Sequence, residues 1–283
     1  MRKHLALALL LLPALLAGAP VPAEKGALLL ATTTSVRDSG LLDELLPLFR
    51  ERTGIRVKTI AVGTGAALRM GSEGNVDVLL THAPEAEREL VASGVLVSRQ
   101  PFMENHFVII GPPEDPAGVR AAASAAEGFR RIALAEATYI SRGDDSGTHK
   151  RERALLRAAG MGPAGGWTGF HQTGSGMGLT LQVAGQRRAY ALSDIGTFLA
   201  YQQRIGLEAL SRPDPELRNV YSVLRVSPAR LGDRGHAEAA RLFEAFLLDE
   251  DIQQRIGRFG MARFERPLFR PLFAESATAP THE

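Results

Sequence analysis

Four short stretches of this chain join glycine to hydroxyl side chains, and each leads directly into an amphipathic helical pattern. They are Thr32-Thr33-Thr34-Ser35, Gly63-Thr64-Gly65, Ser141-Arg142-Gly143-Asp144-Asp145-Ser146-Gly147-Thr148 and Thr173-Gly174-Ser175-Gly176. Glycine lets backbone N–H groups approach closely, hydroxyls add rotatable donors, and a helix N-terminus carries unpaired donors with a partial positive charge. Such loops cradle anions. Four of them, with a single arginine among them, imply a small multivalent anion enclosed on several sides.

The rest of the chain provides a frame for such junctions. Strand patterns at 27–31, 55–62, 77–81, 107–110, 139–141, 189–192 and 220–226 alternate with helical ones. Alternation of this kind predicts an α/β sheet covered by helices on both faces. Asp38 is a candidate cap for a helix whose Leu41, Leu42, Leu45, Leu46, Leu48 and Phe49 share one face, and Pro84 opens another helix with an acidic first turn. Further helices are expected near 64–70, 119–135, 148–159, 177–184, 194–205, 237–247 and 251–259, and the tail beyond Pro267 reads as a surface strap or disordered.

Two anion loops fall early and two late, so a ligand held by all of them lies between two lobes. The expected division is residues 24–108 with 221–283 as one lobe and 109–220 as the other, with hinge strands at 105–110 and 219–226.

A basic start, Arg2-Lys3-His4, an apolar run over 5–16 and a small-residue end at Ala23 describe a secretory signal peptide, residues 1–23. No later segment is apolar enough to span a bilayer, and no cysteine is present to form a disulfide or carry a lipid. The expected location is the periplasm, with the protein acting as a soluble monomer. The 283 residues are 45% hydrophobic and 23% charged, ample for a core, and the net charge of +2 is too small to suggest a nucleic-acid partner. Only four of the basic residues are lysines, and the arginines form no stripe.

Arg142 is the only guanidinium in the four loops, a fixed fork of donors that keeps its charge. Asp144 or Asp145 can hold it or cap the following helix. A free carboxylate would accept the proton of hydrogen phosphate, whereas aspartates committed to support leave a donor-only shell that selects a fully ionised oxyanion. Both cases fit the residues, so an oxyanion-binding protein has a phosphate-binding alternative. Ser146 and His149 raise a hydrolase as a further alternative, but no third orienting group and no Gly-x-Ser-x-Gly elbow accompany them. The chain also lacks a His-Glu-x-x-His motif and a complete nucleotide phosphate loop, so neither a bound cation nor a cofactor is expected.

The segments Ala31-Thr32-Thr33-Thr34-Ser35, Ala61-Val62-Gly63-Thr64-Gly65, the run from Asp77 to Glu87, Ser141 through Lys150, and Thr173 through Gly178 resemble the tungstate-binding proteins of bacterial ABC uptake systems. The likeness runs in order over residues 28–260. It implies a two-lobed periplasmic-binding-protein fold of type II with tungstate in the cleft, molybdate held more weakly, and a permease of the inner membrane as partner. It also implies a binding shell of Thr33, Thr34, Ser35, Thr64, Arg142, Ser146 and Thr148, no catalysis and no cofactor. Val36-Arg37 and Gly169-Phe170-His171-Gln172 depart from the pattern and leave the fourth loop's contribution open.

Overall fold

The computed structural model describes residues 27–162, 165–232 and 235–272; the expected signal peptide lies outside them. Along the chain run β1 (Leu28–Thr33), α1 (Thr34–Ser39), α2 (Leu41–Thr53), β2 (Val57–Val62), α3 (Thr64–Ser72), β3 (Val78–Thr81), α4 (Pro84–Ala92) and β4 (Leu96–Gly111). Then come α5 (Ala125–Leu134), β5 (Tyr139–Ser141), α6 (Gly147–Ala158), β6 (Phe170–Gln172), α7 (Met177–Gln186), β7 (Ala191–Asp194), α8 (Ile195–Ile205), β8 (Glu208–Ala209) and β9 (Arg218–Val226). Last are α9 (Pro228–Leu231), α10 (Ala237–Leu248), α11 (Glu250–Arg258), α12 (Met261–Phe264) and β10 (Arg270–Pro271).

β1 pairs in parallel with β2 and β3, β3 pairs antiparallel with β9, and β9 with β4. Alternation along β1 sends Leu28 and Leu30 into a core with Phe49, Met103, Tyr221 and Phe243, and Ala31 to the opposite face with Leu79 and Leu224. Period-2 burial on both faces is what a sheet sandwiched between helices requires.

β4 is 16 residues long and serves two sheets. Its register on β9 ends at His106, after which Phe107 through Gly111 pair with β7 and β8. Core membership changes with the partner. Phe107 and Ile109 join Phe129, Tyr139 and Leu217, while Val108 and Ile110 join Ile140, Leu181 and Phe198. The chain makes a matching change of core where it enters β9, from Leu217 just before the strand to Tyr221 within it. The protein is therefore a mixed α/β structure of two lobes, with β4 running through both.

Three sequence expectations need correction. Asp38 caps nothing; helix begins at Thr34 under a Thr33 cap, breaks at Gly40 in a left-handed conformation with φ 83°, and resumes at Leu41. The break puts Asp38 inside the first helix, where it pairs with Arg37. The helix expected over 119–135 is one 3-10 turn, Val119–Ala121, followed by α5, because the Ser124 hydroxyl accepts from Glu127 N–H and starts a new helix. The tail is no loose strap through Pro271. Leu268 and Phe269 are buried, Phe269 meets Tyr221 edge-on at 5.7 Å, and Arg270 pairs with Glu104. Trp167, half-buried, packs against Tyr139 and Phe170 and donates to Ala137 O at 2.8 Å. Among the described residues no helix is long and apolar enough to cross a membrane.

Candidate functional site

All four loops lie at strand ends where helices begin. Thr33 ends β1 and caps α1; its Oγ1 lies 3.0 Å from Ser35 Oγ and accepts from Val36 N–H. Ser35 is buried against the Tyr221 phenol, while Thr34 is half-buried. Thr64 opens α3 and is fully buried. Its Oγ1 accepts from Gly147 N–H at 3.1 Å, a bond that joins the second loop to the third and leaves the hydroxyl hydrogen for another acceptor.

Arg142 follows β5 and is only 4% exposed. Asp144 grips its Nη2 at 2.6 Å and accepts from Ser146 N–H with its other oxygen at 3.2 Å. Asp145, at φ 55°, turns outward to Lys150. Ser146 caps α6 by accepting from His149 N–H, and Thr148 is buried in the first turn. The His149 ring accepts from Asp145 N–H through Nδ1 instead of engaging Ser146, so the pairing a hydrolase would need is not formed. The fourth loop uses its hydroxyls internally: Thr173 bonds the Ser141 and Arg142 carbonyls and Thr180, and Ser175 bonds Thr173 O. It braces the Arg142 loop from behind.

The structure adds residues that the sequence did not mark as a site. His82, directly after β3, packs at a tilt against Tyr221 at 4.9 Å between ring centroids and lies beside Asn219 and the Arg142 charge. Asn105 and Asn219 stand opposite each other on β4 and β9, and Asn219 Nδ2 donates to Asn105 Oδ1 and to Tyr221 Oη, both at 2.8 Å. His82 Nδ1, Asn105 Nδ2, Asn219 Oδ1 and Arg142 Nε are buried with no partner among the described residues. An unpaired buried polar group costs about 1–3 kcal/mol. Among these four, Asn105 Nδ2 and Arg142 Nε are donors, the kind of group that a ligand with several acceptor oxygens would satisfy.

Burial sets the proton balance here. His82 is pushed down to about 4, chiefly by burial, with the Arg142 and Arg151 charges adding and the Asn219 contact opposing. Glu152, behind the Arg142 loop, is pushed up to about 7, again chiefly by burial, although Ser141 and Tyr139 donate to it at 2.5 and 2.8 Å. A histidine with a depressed folded pKa binds fewer protons than the unfolded chain, so its stabilisation is lost as pH falls from about 6.5 to 4. A carboxyl with a raised folded pKa binds more, so stability rises as pH falls from about 7 to 4.5, and buried Asp194 acts in the same direction. The two effects oppose each other. Glu152→Gln is therefore expected to lose about 3 kcal/mol between pH 7 and 4.5, where the parent changes much less. Urea unfolding across that range checks this, and a flat profile for the variant contradicts it.

Comparison with known proteins fits this geometry. A PBP superfamily domain matches residues 20–251. The tungstate-binding protein TupA of Peptoclostridium acidaminophilum is 42% identical over 249 residues, covering 87% of this chain and 86% of its own length. This chain belongs to the TupA family. TupA of Campylobacter jejuni is 35% identical over 77% of this chain and 82% of its own. Among solved structures, the TupA of Desulfovibrio alaskensis superposes with a TM-score of 0.76 at 38% identity, covering 88% of this chain and 99% of that one. The tungstate ABC transporter protein from Geobacter sulfurreducens gives 0.72 at 40% identity, covering 81% and 96%. The TupA relatives are thus named as tungstate-binding proteins and the Geobacter one as a tungstate ABC transporter, and the two-lobed fold is shared with them.

Proposed function

We propose that this protein captures tungstate in the cleft between its lobes and delivers it to an ABC permease in the inner membrane. In this reading residues 24–108 and 221–283 form one lobe and 109–220 the other. The observation that carries it is the Gly147–Thr64 hydrogen bond, which brings the donor loops of both lobes together over buried Arg142. Thr33, Thr34, Ser35, Thr64, Arg142, Ser146 and Thr148 form the shell around the anion, with Asn105 and His82 adding donors at its floor. A dehydrated dianion needs many short donors, and these loops supply them with one formal positive charge. The protein works in the periplasm as a monomer after cleavage of residues 1–23.

The aspartates favour a fully ionised ligand. Both oxygens of Asp144 are committed, Asp145 is paired outward with Lys150, and Asp194 accepts from Thr197 N–H and Oγ1. Each of these carboxylates already has a donor or a cation as partner, which favours a ligand shell made of donors. Titration calorimetry with tungstate, molybdate, sulfate and phosphate tests the reading. Tungstate is expected to bind most tightly and phosphate weakly or not at all; tight binding of phosphate alone contradicts it.

A further inference from the structure

His82 and Gly147 meet across the cleft. His82 extends from β3, whose Val78 and Leu80 belong to the first lobe's core; Gly147 opens α6, whose Leu155 and Leu156 belong to the second's. A Cβ built on Gly147 would lie 2.3 Å from His82 Cε1 and within 3 Å of both ring nitrogens. No real Cβ tolerates that spacing, and the ring has little room to withdraw. Tyr221 lies tilted against it at 4.9 Å and Phe107 flanks it at 6.3 Å between centroids, and the residue is 8% exposed. Gly147 has no positive φ, so its backbone conformation does not call for glycine; the space beside the imidazole does.

We propose that His82 and Gly147 are the closure contact of the cleft: the imidazole of one lobe seats on the bare Cα of the other, and that fit sets how closely the α6 N-terminus approaches the ligand. His82 acts here as a positioning residue, as a gauge for the gap that Gly147 N–H must cross to reach Thr64 Oγ1. The inference rests on the cleft being a tungstate site, and it adds the steric element that decides whether the lobes meet.

A double-mutant cycle on the mature chain tests it, read by tungstate calorimetry and by the contraction seen in small-angle X-ray scattering when tungstate is added. Alanine is a better helix former than glycine and keeps the N–H, so Gly147→Ala leaves α6 intact. In the native background the added methyl is expected to weaken tungstate binding about tenfold or more and to abolish the contraction, since overpacking a filled contact is costly. In a His82→Ala background the same substitution is expected to cost less than about twofold, because the imidazole it would strike is gone. Equal losses in both backgrounds, or no loss in the native one, overturn the proposal while leaving the tungstate reading in place. A parent chain that shows no response to tungstate overturns both. Thermal unfolding of the four ligand-free proteins separates closure from damage. A merely structural role would lower the melting temperature of Gly147→Ala, whereas a closure contact leaves it unchanged, and a matched fall in both quantities overturns the proposal.

Discussion

Replacing Arg142 with alanine is expected to weaken tungstate binding by about 2–5 kcal/mol, roughly 30-fold to several-thousand-fold in Kd. Two effects add in the same direction. The anion loses the one guanidinium in the four loops, and Asp144, whose Oδ2 holds Arg142 Nη2 at 2.6 Å, is left as an unpaired carboxylate facing a dianion. Arg142→Lys is expected to recover only part of the loss, because an ammonium returns a point charge but not a planar fork able to meet Asp144 and the ligand together. Calorimetry with tungstate on both variants measures this directly. A loss below about 1 kcal/mol for the alanine variant would place Arg142 outside the shell.

The largest expected loss of stability comes from a residue with no contact to the ligand. Glu87 is wholly buried on α4 and accepts from Thr81 Oγ1 at 2.7 Å, from Ala83 N–H at 2.7 Å and from Arg99 Nε at 2.9 Å. Two of those donors flank His82, so the carboxylate fixes the turn that carries the imidazole into the cleft. Glu87→Ala strands the half-sheltered Arg99 charge and leaves two buried donors unpaired, and removing one member of a buried ion pair costs about 3–5 kcal/mol. The midpoint of urea unfolding is expected to fall accordingly, and tungstate affinity should fall with it. An unchanged midpoint would mean that water replaces the carboxylate, and that the turn does not depend on it.

The glycine-hydroxyl loops are legible in the sequence because their character is local. Glycine, hydroxyl and helix start lie within a few residues of one another, so Thr33, Thr64, Arg142 and Ser146 show their character without any tertiary knowledge. The support role of Asp144 was open between it and Asp145, and only the backbone settles it: Asp145 takes φ 55° and turns away. Tertiary partners were hidden. Asn105 and Asn219 are 114 residues apart and meet because β4 and β9 align them in register. His82 looks like an ordinary residue at a strand end until Gly147 arrives beside it. Helix limits failed for a related reason. The apolar stripe of α2 is plain, but Thr33 both closes a strand and caps a helix, and Gly40 interrupts that helix at once. Leu268 and Phe269 carry no periodicity, yet they complete a core whose other members include residues of α2, β9 and α10.

Donors from both lobes are expected to converge on one oxyanion. A crystal of the mature protein grown with tungstate, with anomalous data collected at a tungsten absorption edge, tests it most directly. The expected result is a single strong peak in the cleft within hydrogen-bonding reach of Arg142 and Thr64 and of the first-loop hydroxyls, Thr33 or Ser35 among them. A peak that touches only one lobe, or that lies away from Arg142, would contradict the account.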